Sequence, residues 1–255
     1  MVYGNKLHWI TKVPERASVA AAPLHRLRGI PPLCASGCRG PLFAENPVEM
    51  GMRSHEAELT ARLAAQPLYV EKFAAAFPGE AEPITYDNFG KAVGAFERGL
   101  LTPGKWDTFL KGNKEALSAE EKKGFATFAK VGCVTCHNGA GVGGMMYQKL
   151  GLVKAWPDLK DNGRADVTKN EGEKFFFKVP SLRNITETAP YLHDGSVKTL
   201  DQMVKMMAEY QLGKQLTDEE TASIITFLKA LKGEIPTDYV KAPKLPEGTA
   251  DTPKA

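Results

Sequence analysis

Val131-Gly132-Cys133-Val134-Thr135-Cys136-His137-Asn138-Gly139 is the stretch on which the reading of this chain turns. Two cysteines stand three positions apart and a histidine follows the second directly, the C-x-x-C-H pattern of covalent haem attachment. On a helix, residues three and four apart share a face. Cys133 and Cys136 can then both reach the vinyl edge of one porphyrin while His137 presents an imidazole nitrogen to its iron. Two other chemistries use closely spaced cysteines. A zinc site needs two further Cys or His ligands at matching spacing, and none is near. A redox dithiol expects a strand–helix setting in an α/β chain. Cys34 and Cys38 form a second pair, but no histidine follows them, so they read as a chance pair rather than a second attachment site.

Outward from this motif the pattern is helical. Ser118 and Glu121 have capping-box spacing, and Phe125 and Phe128 mark the buried side of a helix that runs into the motif. After His137 come about forty residues rich in glycine, and a loop that long in a compact domain is usually functional or wrapped on something. Leu200 to Tyr210 reads as a short helix carrying Met203, Met206 and Met207. Thr217 and Glu220 form a second capping box ahead of Ile224, Ile225, Phe227, Leu228 and Leu231. Toward the N-terminus, helices are expected over 55–65 and 69–77, broken at Gln66 before Pro67. Thr85 to Leu100 places Phe89, Val93, Phe96 and Leu100 on one face, and Pro103 and Gly104 end it. Strand content is low throughout, so the fold class is all-α. The chain divides into four segments: an aberrant or disordered leader (1–40), a region with its linker (41–115), the haem domain (116–235) and a strand-free extended tail (236–255).

The 255 residues suffice for one large domain or two small ones. With 33 basic and 30 acidic residues the formal charge is +3. That balance is too even for a nucleic-acid surface, and no Lys/Arg run supplies one. No apolar stretch approaches the roughly 20 residues of a membrane span. Covalent haem attachment implies maturation outside the cytoplasm, hence a periplasmic protein. The N-terminus nevertheless lacks the expected apolar run, since Pro14, Glu15 and Arg16 interrupt it.

A sixth iron ligand is expected, and a methionine there raises the reduction potential. Met145 and Met146 follow His137 too soon to reach the opposite haem face easily. Met203, Met206 and Met207 are better spaced, and pattern does not choose between them. The same stripe could equally be core, because methionine fills irregular gaps.

Several motifs occur together in one order: Asn46-Pro-Val-Glu-Met-Gly-Met52, Ala95-Phe-Glu-Arg-Gly-Leu-Leu-Thr-Pro103, the haem motif at 131–139, Val179-Pro-Ser-Leu-Arg-Asn184, Ala189-Pro-Tyr-Leu-His-Asp-Gly195 and Met207-Ala-Glu-Tyr-Gln-Leu-Gly213. Over roughly residues 40–235 the chain closely resembles the bacterial di-haem cytochrome c peroxidases. The resemblance implies two cytochrome c-like domains, a low-potential peroxidatic haem in the first and a high-potential His/Met haem in the second. It makes His137 the proximal ligand of the high-potential haem, and it selects Met207 as the distal ligand. Glu49 matches the acid/base residue of the peroxide site, where a carboxylate moves a proton between the two oxygens; without the resemblance it would read as a solvated loop residue. Thr188 and Pro190 match positions whose carbonyls help bind calcium, a hard cation suited to oxygen ligands. His193 and Arg183 fall in motifs near the haem edge, where packing and propionate contacts are expected. The implied reaction reduces hydrogen peroxide to water with two electrons from a small soluble donor, a cytochrome c or a cupredoxin, in a protein that commonly forms homodimers.

The departures matter as much. The family's first Cys-x-x-Cys-His, the ligand histidine of that haem, an interdomain Trp-Asp-Gly-Arg segment, an upstream Gln and a calcium-site Asn are all absent. Residues 41–115 therefore read as a remnant of the peroxidatic domain. The expectation is one covalent haem c and a truncated or frame-shifted chain, with family sequence resuming near Gly40. A mono-haem electron-transfer protein without catalysis is the alternative, and a haem-free structural remnant a remote third.

Overall fold

A computed structural model of the chain describes Met52 and residues 55–244. Its described residues fall into two compact units. One comprises Thr102–Glu234, and the other the residues up to Leu101 together with those from Ile235 onward.

In the latter unit, α1 (Glu56–Ala64), α2 (Pro67–Ala76) and α3 (Tyr86–Glu97) follow one another closely. Pro67 disfavours a helical conformation at Gln66, which is extended (φ −107°, ψ 113°). Proline costs nothing at the first position of α2, where its missing N–H would have had no partner. Thr85 opens α3 by accepting from the Asn88 N–H (3.1 Å). Leu59, Leu63, Tyr69, Phe73, Phe77 and Phe89 meet in a shared apolar core.

The unit spanning Thr102–Glu234 holds α4 (Lys105–Leu110), α5 (Ala119–Val131), α6 (Ala165–Thr168), α7 (Leu200–Leu212) and α8 (Asp218–Lys229). Its sheet is a short antiparallel ribbon of β1 (Tyr147–Lys149) and β2 (Phe176–Lys178), with Gln148 opposite Phe177. Both expected capping boxes are formed, Ser118 with Glu121 and Thr217 with Glu220. Helices α5 and α8 cross at Gly124, where a Cβ would collide with the Ser223 carbonyl and with Phe227. Around that crossing lies a core of Trp106, Leu117, Phe128, Val131, Ile224, Phe227, Leu228 and Leu231. A second cluster gathers Trp156, Tyr191, Val197 and Met203, with Met206, Met207 and Tyr210 partly buried beside it. Ile185 and Leu200 touch both clusters.

The all-α class holds, with three-residue strands as the exception. Packing puts the boundary at 101/102 rather than 115/116. The reason is Trp106, whose indole lies 5.2 Å from the rings of both Phe125 and Phe227 and so ties α4 to the haem-domain core. The tail also differs from the extended segment read from sequence. It forms a helical turn, α9 (Thr237–Val240), and Tyr239 stacks on Phe96 (5.1 Å) and donates to its carbonyl (2.9 Å). No helix among the described residues is long and apolar enough to cross a membrane.

Candidate haem site

Helix α5 stops at Gly132, whose φ of +108° is open to glycine at no steric cost and supplies the left-handed C-cap. The attachment motif therefore lies not on the helix but on the 3₁₀ turn that follows it, Cys133–Thr135. The His137 N–H donates to the Cys133 carbonyl (3.0 Å). In a 3₁₀ turn, residues three apart eclipse, so Cys133 and Cys136 still share a side. Both are half-buried and carry free thiols. Burial pushes the Cys133 thiol up to about 11, against the pull of the Lys214 charge. A redox dithiol or metal thiolate wants the opposite shift. A neutral thiol on a fixed turn suits thioether formation.

The His137 ring is enclosed by the glycine-rich loop. Its Nδ1 is buried and makes no hydrogen bond of normal geometry. The carbonyls of Val142 and Pro180 favour its protonated form, but burial is the larger effect and holds its pKa below the ordinary value. The ring is neutral near pH 7, as an iron ligand must be. Gly143 is the tightest point of the enclosure. A Cβ there would collide with the Pro180 carbonyl oxygen and stand 3.1 Å from His137 Nδ1, and its φ of +128° is strained for any other residue. Two free thiols on one side of a turn and a half-buried neutral imidazole with a buried, unmatched Nδ1 fit haem c. Replacing Gly143 by alanine is expected to cost about 1–3 kcal/mol of strain and to lower the yield of haem-bearing protein, read as Soret absorbance per mole of purified chain.

Helix α7, capped by Thr199 accepting from Gln202 N–H (3.2 Å), orders the three methionines. Met203 points into the core (8% exposed) among Trp156, Tyr191 and Val197. Met206 lines a cavity of about 190 Å³ with Leu150, Trp156, Leu192 and His193. Met207 is half-buried at the edge of the same cluster. One of the three candidates is thus committed to packing.

The remaining sites are less concentrated. The His193 ring stacks on Phe177 (5.1 Å), with Nε2 2.9 Å from Asp161 Oδ2. Arg183 is held by Asp107 and the Ala140 carbonyl. Thr188 and Pro190 are exposed, and Thr188 donates its hydroxyl to the Ile185 carbonyl (3.3 Å). Glu49, Cys34 and Cys38 lie outside the described residues. Sequence reasoning passed over Gly143, Pro180 and Asp107. The first two sit in motifs it quoted or counted, but nothing local in sequence says that they meet at His137.

A helical unit with a haem-attachment turn, an axial histidine and a methionine-bearing helix defines a c-type cytochrome domain, which implies covalently bound haem c. Residues 3–115 match the family described as di-haem cytochrome c peroxidase, and residues 121–232 match the cytochrome c family. The first match begins well ahead of Asn46, where the quoted motifs start. The chain is 42% identical over 212 residues to the cytochrome c551 peroxidase of Nitrosomonas europaea, covering 82% of this chain and 62% of that protein. It is 40% identical over 222 residues to the cytochrome c551 peroxidase of Pseudomonas aeruginosa, at 85% and 62% coverage. Among solved structures, a MauG-like protein associated with microbial copper homeostasis superposes with a TM-score of 0.67 at 29% identity, covering 79% of this chain and 69% of that one. The chain belongs to the di-haem cytochrome c peroxidase family, and it spans about three fifths of the length of these two peroxidases.

Proposed function

We propose that this chain provides the electron-entry haem domain of a periplasmic cytochrome c peroxidase, and that it holds only the high-potential haem. The observation that carries the reading is the turn after α5, where two free cysteines flank a fixed bend and lead into the half-buried neutral His137. Haem c supplies the one-electron redox chemistry when bound. Cys133 and Cys136 would fasten it, and His137 and Met207 would be its iron ligands. Thr188 and Pro190 would offer carbonyls to a calcium ion. Glu49 would belong to the part of the peroxide pocket that the chain keeps, where a carboxylate moves a proton from one peroxide oxygen to the leaving one; the complete reaction turns hydrogen peroxide, two electrons and two protons into two waters. A small soluble cytochrome c or cupredoxin supplies the electrons.

A second reading follows from the sequence having a single Cys-x-x-Cys-His in 255 residues. One haem passes one electron at a time, whereas peroxide reduction takes two. On that reading the chain is a mono-haem electron-transfer protein without catalysis. Both readings expect one haem per chain by pyridine haemochrome absorbance of protein matured in a cytochrome-exporting host. Peroxide turnover well above that of an unrelated His/Met cytochrome supports the peroxidase reading. Turnover at that background level transfers the assignment to simple electron transfer.

A further inference from the structure

The salt bridge between Asp107 and Arg183 connects the haem-domain core to the loop around His137. Arg183 donates through its two terminal nitrogens to the two Asp107 oxygens (2.9 and 2.7 Å), a two-pronged pair with fixed geometry. Its Nε donates in addition to the Ala140 carbonyl (2.7 Å). Asp107 Oδ2 also accepts from the Gly104 N–H (2.9 Å), which fixes the carboxylate to the first turn of α4. The neighbouring Trp106 anchors that turn in the aromatic core. Both side chains are three-quarters or more buried (22% and 24% exposed), so solvent competes weakly for the pair.

From Arg183 the connection runs back along its own segment. Ser181 Oγ donates to the Gly141 carbonyl (2.5 Å), and the Leu182 N–H to the Val142 carbonyl (3.1 Å). The Gly144 N–H donates to the Val179 carbonyl (2.8 Å). These bonds and the Arg183–Ala140 bond clamp residues 140–144 against 179–183. Within that clamp lie Gly143, the Pro180 carbonyl and His137 Nδ1.

We propose that the Asp107–Arg183 pair is a positioning device: it holds the segment bearing the Pro180 carbonyl beside the His137 ring, so that Nδ1, unpaired in the structure, would have this carbonyl as its acceptor once His137 ligates iron, which would set how strongly the imidazole donates. The proposal rests on the haem reading above. A carbonyl that accepts the second ring N–H raises the basicity of a metal-bound histidine. A more basic imidazole stabilises the ferric state more than the ferrous, and loosening the carbonyl raises the reduction potential.

The sign separates positioning from simple charge. Removing a positive charge near a haem, with no change in ligand geometry, lowers the potential. Losing the clamp raises it. The test is potentiometry of the matured full chain with Arg183→Gln and Arg183→Lys. Lysine keeps the charge but is a point donor that cannot make the planar two-pronged pair. Both variants are expected to shift the one-electron equilibrium three- to tenfold toward reduction, about 30–60 mV at 59 mV per decade. Should Arg183→Gln fail to mature, Arg183→Lys alone decides. A fall in Arg183→Gln with no change in Arg183→Lys assigns the effect to charge and overturns the proposal, as does an unshifted potential in Arg183→Lys. Pyridine haemochrome absorbance of the parent, measured first, keeps the two ideas apart. A parent without haem overturns the reading on which the proposal stands. A haem-bearing parent whose variants keep its potential overturns the positioning role alone.

Discussion

Replacing Met207 by alanine is expected to lower the haem reduction potential and to open the iron to added ligands such as imidazole. The thioether of an axial methionine favours the ferrous state, and α7 holds Met207 half-buried against the Trp156–Tyr191 cluster. Met203 is the internal comparison. It sits one helical turn earlier, 8% exposed among Trp156, Tyr191 and Val197. Met203→Ala should cost about 2–5 kcal/mol of stability as a core truncation and leave the potential nearly unmoved. Potentiometry of the two variants, with an imidazole titration followed in the Soret region, separates ligand from filler. If Met207→Ala keeps both its potential and its closed sixth position while Met206→Ala loses them, the ligand is Met206. Its place on the wall of the 190 Å³ cavity makes it the next candidate.

The features legible in sequence were those written in short-range chemistry. Capping boxes at Ser118 and Thr217, the break before Pro67 and the apolar spacing of Phe89, Val93 and Phe96 depend on residues within a turn or two of one another, and the helices formed there. The Cys-x-x-Cys-His run is likewise local, though it sits on a 3₁₀ turn after the helix rather than within it. Gly132 was the available clue, since a glycine ahead of the motif is where a helix stops. What stayed hidden depends on contacts distant in the chain. Trp106 belongs to the haem-domain core because of Phe125 and Phe227, so its side of the boundary could not be read from its neighbours. Arg183 makes its two-pronged pair with Asp107 across 76 positions, a contact that no local motif marks. The Pro180 carbonyl reaches the surroundings of His137 only because the loop folds back at Gly143. A backbone carbonyl carries no residue-specific mark in a sequence.

Phe227→Ala is expected to destabilise the Thr102–Glu234 unit more than any other single truncation proposed for this chain. Phe227 is 0% exposed, and its ring lies 5.2 Å from Trp106, 5.1 Å from Phe125 and 5.3 Å from Phe128. Buried Phe-to-Ala changes cost about 3–5 kcal/mol, combining lost transfer free energy with the cavity left behind. Collapse around the cavity is hindered here. Helix α8 already touches α5 at Gly124, so neither backbone can move closer. The upper part of that range is the expectation, a fall in Tm of roughly 10–20 °C for a domain of this size, read by circular dichroism at 222 nm. On the proposed haem reading, attachment at Cys133 and Cys136 would not depend on this side chain, so folded variant protein should still carry haem. A fall of less than about 5 °C would mean that the packing at the α5–α8 crossing is not what holds this unit together. The aromatic cluster that fixes the boundary at 101/102 would then lose its energetic meaning. Helix α4, and with it the Asp107 end of the clamp, would need another anchor.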